Sequence, residues 1–392
     1  MDDFADIRPY LDDEVAPVLA KLVSEPELLQ ALIRLRLPAS SRWLGFALRP
    51  LLSLYLRRKL GGVNSVRGFQ MYVKRYMDSM IEGSTRSFTV SGMEHLDNEH
   101  AYLFISNHRD IALDPAFVNY ALYHNEHDTV RIAIGDNLLS KPFAADLMRL
   151  NKSFIVRRSA KGPRQMLAAY RKLSAYIRHS LLDEDESIWI AQREGRAKDG
   201  NDATETAVIK MICMAQEKDS ESFADFVNKL RIVPVAIAYE WDPLDLAKAQ
   251  ELVHTRRDGS YQKAEHEDLK SIAAGILGDK GDVHVAFGEP LQGEFISPVA
   301  VAAALDTAII QQYRLFESNI LAYQAVAGDE RWRELDAEEP SPGQRAAFDN
   351  RMASIPSAYR QQVLEIYANP VLNKLRRRDM QAMQAVMQAT NS

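Results

Sequence analysis

The chain of 392 residues is poor in several things, and each shortage excludes something. It has one cysteine, Cys213, so no disulfide can form within it and a reducing compartment fits. It has no window of 18 residues free of charge, which argues against a conventional membrane-spanning helix. Its glycines never fall into the G-x-G-x-x-G or G-x4-G-K-S/T spacing, so no nucleotide loop is expected. Internal repeats and low-complexity tracts are absent. The opening Met-Asp-Asp-Phe-Ala-Asp is acidic and lacks a basic-then-apolar run, which argues against a secretory signal.

One further shortage is local. From Leu28 to Met77 there is no Asp or Glu, while Arg34, Arg36, Arg42, Arg49, Arg57, Arg58, Lys59, Arg67, Lys74 and Arg75 lie in the same stretch. The whole chain carries −6, so this segment of +10 leaves −16 for the rest. Leu44, Ala47, Leu48, Leu51, Leu52 and Tyr55 follow the i, i+3, i+4 rule. With Trp43, that apolar stripe and its basic flanks describe a helix lying in a membrane interface. Each Lys or Arg near an anionic leaflet adds about 1 kcal/mol. An anionic membrane surface is therefore an expected partner, on the cytoplasmic face, with peripheral or monotopic attachment. The same stretch also suits an acidic protein partner. Pro50 predicts a kink or two short helices. Nucleic acid is not expected, since the chain is acidic overall and shows no recognition module.

What the sequence does contain is an alternation. Apolar runs at Ser87–Gly92, Ala101–Ser106, Thr129–Gly135, Ser153–Arg157, Ser187–Gln192, Ile232–Tyr239 and Asp282–Gly288 read as strands. Amphipathic stretches such as Arg164–Leu182 and Ala203–Gln216 read as helices between them. The pattern predicts an α/β fold with a largely parallel sheet flanked by helices, and helical N-terminal and C-terminal extensions. The expected division is a helical, basic region over 1–83, a catalytic domain over 84–297 and a C-terminal helical extension over 298–392. There, Leu372–Met387 pairs three methionines with Lys374 and Arg376 to Arg378, as an interfacial element, a lid or a packing extension.

The segment Ile105-Ser-Asn-His-Arg-Asp-Ile-Ala-Leu-Asp-Pro115 follows a strand and precedes an apolar helix. A histidine beside a carboxylate there suits proton abstraction, because the carboxylate orients the imidazole and stabilises the imidazolium. On a helix, Asp110 would lie about 200° and Asp114 about 240° round from His108. His108 must therefore sit in the turn before the helix. Asp114, just before Pro115, is the favoured partner and Asp110 the second candidate.

Four blocks in order then resemble the glycerolipid acyltransferase superfamily, the glycerol-3-phosphate and 1-acyl-glycerol-3-phosphate acyltransferases, over about His95 to Leu291. Asn107-His108-Arg109-Asp110 through Asp114 is similar to its H-x4-D, and Phe154-Ile-Val-Arg-Arg158 to its F-I-x-R. Glu194-Gly195-Arg196 is similar to its E-G-x-R, and Val233-Pro234-Val235 to its apolar strand with proline. Two departures stand out: one extra residue separates His108 from Asp114, and none separates Gly195 from Arg196. The resemblance implies that His108 is the general base, with Asp114 or Asp110 orienting it. It implies that Glu194, Gly195 and Arg196 help hold a glycerol phosphate. The expected donor is acyl-CoA or acyl carrier protein, and the acceptor glycerol-3-phosphate or its 1-acyl form; no cofactor and no metal are expected.

Arg157, Arg158, Lys161, Arg164, Arg193, Arg196 and Lys198 gather near two predicted strand ends, where guanidinium forks suit phosphate. Arg157 and Arg196 are expected to contact it; Lys161, Arg164 and Lys198 read as a solvated face. His124 with His127, and His95 with His100, read as polar loops lacking a convincing ligand set. Cys213 is read as a core thiol, and Trp189 and Trp241 as packing residues. The rival readings are a catalytically silent membrane scaffold, supported by the altered His–Asp spacing, and a phosphohydrolase, which lacks a visible nucleophile or metal cluster.

Overall fold

A computed structural model describes residues 2–36, 41–139, 141–262 and 267–391. In chain order they form α1 (Asp12–Leu22), α2 (Pro26–Arg36), α3 (Ser41–Leu60), α4 (Val66–Ser84), β1 (Ser87–Ser91), β2 (Leu103–Ser106), α5 (Leu113–His124), β3 (Arg131–Gly135), α6 (Pro142–Leu150), β4 (Ser153–Val156), α7 (Pro163–Leu182), β5 (Ile188–Ala191), α8 (Thr206–Ile212), α9 (Phe223–Lys229), β6 (Ile232–Tyr239), α10 (Asp245–Asp258), α11 (Glu267–Leu277), β7 (Asp282–Phe287), α12 (Pro298–Gln312), α13 (Glu317–Ala327), α14 (Pro342–Ser354) and α15 (Ser357–Asn391). The seven strands fall where the apolar runs predicted them, shorter by a residue or two at half of their ends. β1 with β7, β2 with β5 and β6, and β3 with β4 pair in parallel, and β6 with β7 antiparallel.

The chain divides into two compact units. One holds the described residues within 1–78 and 130–177, the other those within 79–129 and 178–392. In the first, β3 and β4 pair in parallel with Ile132 opposite Ser153. Its helical core gathers Val15, Leu19 and Leu22 of α1, Val66 and Phe69 of α4 and Leu150 of α6. Of the two outcomes expected at Pro50, two short helices are not found: α3 runs from Ser41 to Leu60 with Pro50 inside it. The missing proline N–H removes one ladder bond, and α3 is held by the residues around α2. Arg49 donates twice to Gln30, and Ser53 and Arg57 donate to Val23 O and Ser24 Oγ. The side chains of Arg36, Arg42 and Trp43 lie outside the described residues.

In the second unit the strand order is β1-β7-β6-β2-β5. β2 and β6 are buried along their whole length, as a continuous apolar run inside a sheet covered on both faces requires. β2 sits between β5 and β6, parallel to both, with Ser106 opposite Ala191 and Val235. Three carboxyl ends therefore share one edge of the sheet: Ser106 leading to His108, Ala191 leading to Glu194, and Tyr239. That edge is where open α/β sheets bind ligands.

Candidate active site

Asn107, the first residue beyond β2, is fully buried and fixes the start of the turn. Its side-chain amide accepts from Ile237 N at 2.8 Å and donates to Ile237 O at 3.0 Å. The side chain thus continues the β2–β6 ladder while the backbone swings away. His108 follows in that turn, before α5, as the angular argument required.

Asp114, the second residue of α5, is 0% exposed and saturated with donors. Its Oδ2 lies 2.9 Å from His108 Nδ1 and accepts from the backbone N–H of Arg109 at 2.6 Å and Asp110 at 3.0 Å. Its Oδ1 accepts from the Tyr239 hydroxyl at 2.6 Å. Three donors besides the imidazole hold one carboxylate in one orientation. The longer His-to-Asp spacing therefore still delivers a direct bond, because the turn folds its own two N–H groups onto Asp114. The support that spacing lent to a silent scaffold disappears with it. His108 keeps 13% of its side chain exposed. With Nδ1 turned to Asp114, Nε2 is the nitrogen left for another molecule. The Trp189 indole stands edge-on to the imidazole at 6.0 Å, itself pinned by donating to Ser106 Oγ.

Asp110 has a different task. Its Oδ1 accepts from the N–H groups of Ala112 and Leu113, capping the first turn of α5. α11 closes over it so tightly that a Cβ on Gly275 would come within 2.2 Å of its Oδ2. Burial, then the charge of Asp114, pushes the Asp110 carboxyl up from its ordinary value. It makes no hydrogen bond to His108. Burial likewise raises the Tyr239 phenol well above its ordinary value, followed by the neighbouring charge of Asp114, so it stays a neutral donor.

Sequence reasoning missed the layer beneath. Arg109 is buried and donates from Nη2 to Asp202 Oδ2 at 2.6 Å and Gly200 O at 3.3 Å, its guanidinium 5.6 Å from the Tyr313 ring centre. Burial raises the Asp202 carboxyl even against the pull of Arg109. Lys248, 2% exposed, donates to Arg109 O at 2.7 Å and pairs with Asp242. The bonds of Arg109 join positions 91 to 139 residues apart and leave no spacing signal; a charged residue directly after His108 was the only hint.

The Glu194–Arg196 turn is tied to the same place. Gln192 N donates to Ser106 O, and Ala197 N donates to His108 O, both at 2.8 Å. Gly195 takes φ +74°, a left-handed conformation that glycine adopts without strain. Glu194 is exposed and its N–H donates to Glu205 Oε2 at 3.2 Å. Arg196 is half-buried, with no hydrogen bond or ion pair to its guanidinium among the described residues.

Arg157 and Arg158 belong to the other unit, just past β4. Arg157 donates to Asp6 Oδ2 at 2.6 Å, and Arg158 donates its backbone N–H to Asp136 Oδ1 at 3.0 Å. The discounted groups keep to their loops and cores. His124 ends α5 and His100 pairs with Asp97. Trp241 packs with Phe348 and Tyr367. Cys213 lies buried in a 3-10 turn after α8, its thiol pushed up to about 12 by burial. No group of three His, Cys, Asp or Glu able to hold a metal occurs among the described residues.

A histidine on a buried carboxylate, at the carboxyl edge of a parallel sheet, is suited to taking a proton from a hydroxyl. The Acyltransferase family model matches residues 87–238, from β1 to β6, a span that includes all four sequence blocks. Those residues, less than half of the chain, are what the likeness to the Acyltransferase family covers. Among solved structures it is similar to the 1-acyl-sn-glycerophosphate (LPA) acyltransferase, PlsC, from Thermotoga maritima, at 14% identity and a TM-score of 0.35, over 76% of this chain and 95% of that one. That likeness is too distant to carry geometry across. No curated protein matches the chain.

Proposed function

We propose that the protein transfers a fatty acyl group from a thioester, acyl-CoA or acyl carrier protein, to a hydroxyl of glycerol-3-phosphate or 1-acyl-glycerol-3-phosphate. His108 Nε2 takes the hydroxyl proton as the oxygen attacks the thioester carbonyl carbon. Asp114 holds the Nδ1–H and stabilises the imidazolium. Collapse of the tetrahedral intermediate breaks the C–S bond, and the leaving thiolate takes the proton back from His108. Glu194, Gly195 and Arg196 bind the acceptor; Arg196, whose guanidinium has no partner among the described residues, is suited to phosphate. The observation that carries this reading is the 2.9 Å contact from His108 Nδ1 to a fully buried Asp114, which leaves Nε2 without a hydrogen-bond partner among the described residues.

The membrane surface belongs to the same proposal. α3 exposes Leu51, Leu54 and Tyr55 at i, i+3, i+4, and α4 exposes Tyr72 and Tyr76. Arg58, Lys59, Arg67 and Arg75 provide the basic flank, although Arg49, Arg57 and Lys74 are spent on contacts within the chain. No helix among the described residues is long and apolar enough to cross a membrane. The test is thiol release from long-chain acyl-CoA with each acceptor supplied separately. Release that requires one acceptor and yields its ester supports the reading; release that ignores both, or free phosphate as product, contradicts it.

A further inference from the structure

β1 and β7 of the second unit pair in parallel at the edge of the sheet, with Thr89 opposite His284 and Ser91 opposite Ala286. Side chains alternate between the two faces of a strand. Phe88 packs on Phe117 and Tyr120 of α5, so Thr89, Ser91 and His284 share the other face. Ala286 on that face belongs to a core with Tyr313 and Phe316, beside which the imidazole is half-buried while Ser91 stays exposed. Directly after Ser91 the chain turns away at Gly92 with φ +79°, where any Cβ would collide with Phe287 O.

The hydrogen bonds among the three side chains have a direction. A hydroxyl has one proton and two lone pairs. That of Thr89 points its proton at Val283 O, 3.4 Å away, and accepts from Arg314 Nη1 at 3.4 Å. Its other lone pair takes the Nδ1–H of His284 at 2.8 Å. Nε2 is then the acceptor, and the Ser91 hydroxyl donates to it at 3.0 Å. Nucleophile, base and orienting group thus stand in sequence, the arrangement that activates a hydroxyl for attack. Arg314, seated 5.3 Å from the Phe316 ring centre, adds a charge of the sign that a developing oxyanion needs. Burial, then that charge, lowers the His284 imidazole to about 4, so near neutral pH it is an unprotonated base. A base so weak suffices only where the leaving group departs readily, which selects thioesters and aryl esters. β7 and β6 separate β1 from β2 by three spacings of about 4.8 Å, so His108 is no part of this group.

We propose that Ser91 and His284 form a second nucleophilic site, at which the Ser91 hydroxyl takes an acyl group from a thioester or aryl ester. Oγ bonds to the carbonyl carbon as its proton passes to Nε2. The bond from that carbon to sulfur or aryl oxygen breaks, and the leaving group carries the proton away. The resulting Ser91 ester has an alkoxide as leaving group, so water clears it slowly and the acyl group accumulates on the chain. Thr89 is a positioning residue. The site does not rest on the transfer proposed for His108.

The test is exposure of the full-length protein to p-nitrophenyl acetate, the aryl ester, and to phenyl thioacetate, the thioester. Release of the leaving group is followed by stopped flow, and the acetyl group is located by peptide mass spectrometry. The expected result is a burst followed by slow turnover, with acetyl on Ser91 from both reagents. Ser91→Ala abolishes the burst, and His284→Gln slows it at least about tenfold, the low end of what a positioned base contributes. Thr89→Val slows it about fivefold, the worth of one hydrogen bond, and Thr89→Ser restores it. His108→Ala retains it. A burst unchanged in Ser91→Ala or in His284→Gln overturns the site, as does acetyl found only on lysines. A burst lost with His108→Ala but kept in Ser91→Ala assigns the chemistry to His108 and overturns it equally.

Discussion

The Asp114 turn and the Asp6 corner each place a carboxylate among hydrogen-bond donors, yet they are built to opposite purposes. Asp114 is wholly buried, and its donors are two backbone N–H groups, a neutral phenol and the imidazole. Nothing in that set can swing away without leaving a buried charge unsatisfied. Asp6 is met by two long, flexible cations, Arg157 and Lys172, with all three side chains more than a third exposed. Water and salt can replace either partner at little cost. One arrangement fixes an orientation; the other can be exchanged.

The comparison breaks most visibly at Asp114. Asp114→Asn keeps the shape but removes the charge that fixes the imidazole, and is expected to lower kcat by about 10^3–10^4 while circular dichroism stays native. A loss under tenfold would put the turn in the same class as the exposed corner.

Next comes the support beneath it. Arg109→Ala strands a buried Asp202, and a loss of about 3–5 kcal/mol in unfolding free energy is expected from denaturant titration. The double variant with Asp202→Asn should recover part of that loss, because no uncompensated charge is left behind. A smaller effect than that of Arg157→Ala would mean that burial is not what separates the two regions.

Lys280 sharpens the contrast through pH. Its side chain is fully buried, donating to Ile276 O and Gly278 O, and burial lowers it to about 8. Between pH 8 and its ordinary value near 10.5, the unfolded chain holds a proton that the folded chain has released. Stability should therefore rise with pH across that window, by about 2–3 kcal/mol from this group. Lys280→Met should flatten the rise, as read by denaturant midpoints at pH 7, 9 and 10.

The smallest effect expected at the turn is that of Tyr239→Phe. It removes one of four donors to Asp114 and is expected to lower kcat about tenfold, the worth of a hydrogen bond to a charged group, while leaving the acceptor KM unchanged. A change confined to KM would make Tyr239 a packing residue.

Period and composition made the architecture legible, since each strand is a local apolar run and each long helix a local stripe. The turn before α5 could be placed too, because helix geometry alone forbids His108 from sharing a face with either aspartate. The choice between Asp110 and Asp114 became firm only in three dimensions, where Asp110 caps α5 and Asp114 faces the imidazole. Tyr239, Arg109 with Asp202, and Lys248 were illegible because their bonds connect distant strands and helices, and a lone Tyr or Lys in an apolar segment has no period to betray it. At Pro50 a local rule left a break in the helix open, and the helix continues because its neighbours hold it together.

The account turns on one imidazole taking a proton from an alcohol, and turnover of His108→Ala with a long-chain acyl thioester and each acceptor measures that most directly. A fall of at least about 10^3 in kcat/KM, in a protein whose unfolding midpoint is preserved, is the predicted result. A variant that still esterifies either acceptor at a rate near that of the unaltered protein would contradict it.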